Sequence, residues 1–60
     1  MRLAVIRGSL VENVVEVPTG WTGALGEWQL PVGTIGVFSA VASTGGTYNA
    51  GVFTPPPVPP

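Results

Sequence analysis

The chain contains no cysteine, histidine, lysine or aspartate, and each absence removes a class of function. Without cysteine there are no disulfides, no thiolate metal sites and no thiol nucleophile. Without histidine and aspartate, a metal would have to rest on Glu12, Glu16 and Glu27 alone, which are too few and too scattered for hard-ligand coordination. No metal and no cofactor is therefore expected. Ser9, Ser39 and Ser43 have no histidine or lysine to activate them, so nucleophilic catalysis lacks its base. Paired-carboxylate chemistry needs two acids around a cleft, and a chain of 60 residues has no room for one. The sequence reads as a non-enzyme.

Charge is the second scarcity. Charged residues make up 8% of the chain, against about 25% in an average soluble domain. Arg2 and Arg7 are the only cations, the net charge is −1 and no charged side chain follows Glu27. Two cations and a pI of about 4.8 argue against binding nucleic acid through its phosphates. A membrane span needs roughly 20 apolar residues. The best window, LPVGTIGVFSAVA, has 13 and is broken by Pro31, Gly33 and Gly36. Arg7 and Glu12 interrupt any signal-peptide core near the start. A domain this short buries only about 60% of the surface its unfolded chain exposes. Of the usual supplements to a small core, disulfides, metal or association, only association remains. A surface with so little charge fits a chain embedded among partner proteins.

What is present is punctuated β sequence. LAVIRGSLVENVVEV, residues 3–17, has two β-branched arms around Gly8-Ser9, a two-residue turn with glycine first. In that register Ile6 faces Val11 and Leu3 faces Val14. Glu12 and Glu16 fall on one, wetter, face of the second arm. Pro18 directly after the run favours strand over the competing helix. Residues 18–36 are rich in turns: PTGWTG and PVGTIG share the pattern P-x-G-x-x-G, 13 residues apart, and read as similar turns around ALGEWQL. Residues 34–43, TIGVFSAVAS, read as a buried strand with Ile35, Val37 and Val41 on one face and Phe38 and Ala40 on the other, with a short helix, tolerated by its Ala and Ser, as the alternative. Residues 46–54 form a second hairpin with a three-residue loop, Asn49-Ala50-Gly51, and Tyr48 and Phe53 packing diagonally across it. Prolines cannot continue a ladder, so TPPPVPP leaves as a polyproline II arm, about 19 Å long over its last six residues.

The expected fold is thus all-β: a small hairpin-based domain over 1–54 with Gly/Pro-rich loops, and a C-terminal polyproline II arm over 55–60. Glycine-rich PTGWTG lacks the lysine and helix context of a nucleotide loop and reads as turn. The candidate partner-binding residues are Trp21 and Trp28, Tyr48 and Phe53, and the arm residues Pro55, Pro56, Pro57, Val58, Pro59 and Pro60. A stiff proline arm loses little freedom on docking. PPPVPP has the spacing read by aromatic grooves but no flanking cation.

In order, MRLAVIRGSLVENVVEV, P-x-GW, P-x-GT and GGTYNAGVFTPPPVPP resemble small proteins encoded among bacteriophage virion genes. Those open on a hairpin around G-x-V-x-N-V and close on a G-x-T-Y-x-G-x-x-F-x-P-P element. The positions carried over are Val11, Asn13 and Val14, then Gly46, Thr47, Tyr48, Gly51, Phe53, Pro55 and Pro56. Where that family usually has Asp-Gly, this chain has Asn49-Ala50-Gly51, and its turn is expected to be one residue longer. The resemblance implies a virion accessory protein of decoration or cement type, made in the host cytoplasm and bound to other virion proteins such as major capsid or tail subunits. It would be present in many copies, with no role for nucleic acid or membrane. The alternatives are a tail or tail-fibre component, a non-virion proline-rich binding module, or a membrane-active lysis peptide.

Overall fold

The structure, a computed structural model, describes residues 1–57. It is all-β, with no helix among the described residues. Five strands, β1 (Arg2–Arg7), β2 (Leu10–Glu16), β3 (Ile35–Phe38), β4 (Thr47–Asn49) and β5 (Val52–Thr54), form one antiparallel sheet in the order β3-β1-β2-β4-β5, curled into a half-barrel.

β1 is buried along its whole interior: Leu3, Ala4, Val5 and Ile6 are each no more than 1% exposed. Alternation sends Ala4 and Ile6 to one face and Leu3 and Val5 to the other, so both faces of this strand must be covered. No helix does it. β2 and β3 both run antiparallel to β1 and flank it, so residues 17–34 must cross the sheet to reach the far side of β1. That crossing brings Leu30 beside Leu3, both packed over Gly36. Residues 39–46 then return over the opposite face, where Ala42 joins Ala4, Ile6 and Val11 in a cluster flanked by Val14, Val37, Tyr48 and Phe53.

The two arginines pin these crossings. β1 pairs with β3 without a break, so Arg2 and Arg7, five positions apart, lie on opposite faces. Arg2 donates to the carbonyls of Ala40 and Ala42 at 3.4 and 3.0 Å. Arg7 donates to the carbonyl of Val32 at 3.2 Å and is steadied by Glu12, with Nε 2.8 Å from Oε1. Each cation holds one loop.

Turns of a single kind shape the crossings. Pro18-Thr19-Gly20-Trp21, Ala24-Leu25-Gly26-Glu27, Pro31-Val32-Gly33-Thr34 and Ser43-Thr44-Gly45-Gly46 each close with an N–H of the fourth residue on the carbonyl of the first, at 3.0–3.2 Å. The third residue in each is glycine, with φ between +85° and +95°, the signature of a type II turn.

Several local expectations change. Ile6 faces Val11, but Leu3 faces Val15 and Ala4 faces Val14, because Glu12 is an extra residue in a β-bulge. The bulge lets Val11 and Val14, three apart, reach the same core cluster. It also separates the glutamates: Glu12 meets Arg7, and Glu16 lies opposite Arg2 with its carboxylate 2.8 Å from the terminal amine of Met1. The strand expected over 34–43 is limited to Ile35–Phe38, since the Ser39 hydroxyl accepts from the N–H groups of Val41 and Ala42 and bends the chain. Val41 is accordingly 75% exposed, off the face of Ile35 and Val37.

The second hairpin also differs. Asn49 pairs with Val52, so the loop is two residues, Ala50-Gly51, both at positive φ (50° and 84°), as in a type I′ turn. Ala50 stands where Asn, Asp or Gly is favoured. With the shorter loop, Tyr48 and Phe53 are directly opposed, their ring centroids 4.7 Å apart. Gly46 is required by contact: a Cβ there would overlap the Thr54 carbonyl oxygen.

Relieving the left-handed alanine by Ala50→Gly is expected to stabilise the fold by about 0.5–1 kcal/mol. Gly46→Ala is expected to cost about 2 kcal/mol or more through overpacking against backbone. Urea unfolding midpoints of the two variants check both.

Candidate interaction surface

The candidate residues divide into two groups at opposite edges of the sheet. The first gathers beside β3. Trp21 and Trp28 have ring centroids 6.1 Å apart, and the Trp21 indole N–H donates to the Trp28 carbonyl at 3.0 Å. Phe38, at the end of β3, meets Trp21 edge-on at 6.2 Å and 85°, the geometry that aromatic quadrupoles favour. Trp28 and Phe38 remain 45% and 48% exposed.

Glu27 organises this group. Its carboxylate accepts from the backbone N–H groups of Thr22 and Gly23 at 2.8 and 2.9 Å and from the Thr22 hydroxyl. The side-chain amide of Gln29 donates to the carbonyls of Ala24 and Glu27. The bond from the Thr22 N–H holds the Glu27 carboxyl below its ordinary value of 4.5, with Gly23 adding to it and desolvation opposing. Glu12 is lowered as well, chiefly through its hydrogen bond to Arg7.

The second group lies beyond β2. Tyr48 and Phe53 are half-buried and pack against the core cluster. Pro55, Pro56 and Pro57 follow β5 without pairing. Pro56 is half-buried, its Cβ 3.6 Å from where a Cβ on Gly45 would stand, while Pro55 and Pro57 are exposed. Val58, Pro59 and Pro60, the rest of the expected arm, lie outside the described residues.

Sequence reading passed over three surface residues. Phe38 read as the second face of a buried strand, yet it completes the tryptophan group. Leu25 and Val32 are 102% and 95% exposed because each is the second residue of a type II turn, a position that points away from the chain. The glycine of each turn was the signal that would have found Leu25 and Val32; Phe38, on a strand, carried none.

All five charged side chains (two arginines and three glutamates) have partners within the chain. Among the described residues there is no cavity and no group of metal-ligating side chains. Large apolar side chains also face outward, among them Leu25, Trp28, Val32 and Phe38. No known protein family, curated protein or solved structure matches this chain.

Because Glu27 titrates at a depressed pH in the folded chain, its stabilisation is complete above its unfolded value and disappears as pH falls through the lower folded one. Acidification below about pH 4.5 is therefore expected to loosen residues 21–28 and shift tryptophan emission to the red. Glu27→Gln should show the shifted emission already at pH 7. An emission spectrum independent of both changes would exclude the clamp.

Proposed function

We propose that this chain is a non-enzymatic accessory part of a bacteriophage particle, of decoration or cement type, seated among other particle proteins. One observation carries the reading. Every charged side chain is engaged in holding the fold, while Leu25, Trp28, Val32 and Phe38 lie at the surface. Such a surface has little to keep it in water by charge and much to gain from being covered by protein. The similarity of the opening hairpin and of the TYNAGVFTPPP element to small virion-gene products supplies the kind of assembly. Among the described residues, a core of seven buried apolar side chains is small for a free-standing domain, which also favours a part stabilised by its neighbours. The proline arm is the second contact, offering apolar area with its backbone already restricted.

The test is quantitative mass spectrometry of purified particles of a bacteriophage that encodes this chain, with heads and tails separated. A fixed, stoichiometric copy number in the head fraction is expected. A fixed number in tails alone would make it a tail component, and absence from particles would overturn the reading. A truncation beginning at Pro56 should fold but be shed from particles at lower temperature than the full chain. Equal retention would remove the arm from the interface.

A further inference from the structure

The two open edges of the sheet are unequal. In an antiparallel ladder, alternate residues direct both N–H and C=O to one neighbour, and the residues between direct theirs to the other side. The Ser39 N–H donates to the Arg2 carbonyl, so Ser39, Val37 and Ile35 face β1. Gly36 and Phe38 therefore present their N–H and C=O groups to the open edge, and no described loop bonds to them. At the other edge, the Tyr48 N–H donates to the Ser9 carbonyl. Thr47 and Asn49 thus face β5 and engage Thr54 and Val52, which leaves Phe53 alone facing outward. Pro55 follows closely and has no N–H to offer.

The β5 edge is blunted by proline, whereas β3, though only four residues long, has no lysine, no proline, no bulge and no inward charge. We propose that a second copy of this chain pairs with the first through β3, antiparallel about a two-fold axis at Val37. The register is self-complementary. Gly36 of each copy meets Phe38 of the other, and the pairs exchange four backbone hydrogen bonds.

Side chains agree with this register. Phe38, nearly half exposed and held edge-on by Trp21, would stand opposite Gly36 of the other copy, beside the Leu3 and Leu30 methyls that pack over that glycine, an aromatic paired with an edge glycine. β3 itself carries no charged side chain, so the two strands meet without like charges opposed across the ladder. Head-to-tail pairing with β5 of another copy offers only Phe53, about half the hydrogen bonds. The proline arm of a neighbour offers no N–H groups to pair. This pairing stands apart from the virion reading, since it concerns the chain alone in solution.

Sedimentation equilibrium of the purified full chain, combined with amide hydrogen exchange across a concentration series, tests it. A closed monomer–dimer equilibrium is expected, with the Gly36 and Phe38 amides gaining protection as dimer forms. Phe38→Pro removes the outward N–H without touching a bond to β1, and should weaken the dimer about thirtyfold for two lost hydrogen bonds. Phe38→Ala keeps the N–H, and should weaken the dimer less while preserving that protection. Gly36 and Phe38 amides that exchange freely at every concentration, whatever the variants do, would overturn the proposal. So would concentration-dependent protection at Phe53 or an open-ended series of oligomers, either of which would mean head-to-tail pairing.

Discussion

Burial of β1 on both faces is the constraint on which this fold depends. Four consecutive apolar side chains, Leu3 to Ile6, are removed from water, and a strand in that position ordinarily has a helix or a second sheet on each side. Here two irregular crossings do the covering. Irregular backbone over a core needs its carbonyls satisfied, and Arg2 and Arg7 are placed for that, one on each face, each reaching the loop that crosses it. Glu12 follows from the same need: the bulge brings it to Arg7 and holds the guanidinium toward Val32.

The same economy leaves the surface as it is. The few charged groups lie at the surface but are paired within the chain, and the rest of the outside is made of turn tips, aromatics and uncharged polar residues. Type II turns aim their second residue at solvent, and two of those residues are Leu25 and Val32. The tryptophan group is ordered from within by Glu27 and by the bond between the two indole-bearing residues, so its exposed rings are a formed surface. Ordering aromatics before contact lowers the entropic cost of any binding they take part in.

Much of this was legible in the residues. Alternation and β-branching marked the first hairpin, and Gly8-Ser9 set its turn, because a two-residue loop with leading glycine matches strand twist. The pattern P-x-G marked two turns of one geometry. Other features were hidden for identifiable reasons. The bulge at Glu12 has no glycine or proline to announce it, and it arises because both Val11 and Val14 must reach one core. The two-residue turn at Ala50-Gly51 puts an alanine at φ 50°, against its own preference. The cross-strand fit of Tyr48 on Phe53 holds it there.

By itself the sequence determined the chemistry available: an all-β chain, few charges, no cysteine, histidine, lysine or aspartate, two hairpins and prolines that cannot pair. Those follow from side-chain type and local backbone preference, which act over a few residues. Only the tertiary structure decided that Trp21, Trp28 and Phe38 form one group and that Tyr48 and Phe53 sit at the far edge from it. It alone decided which arginine holds which loop, and that one sheet edge is left open while the other is closed by proline. These depend on strand order and on the phase of hydrogen bonding across the sheet, which are set by pairing between residues distant in the chain and leave no mark on any short stretch of it.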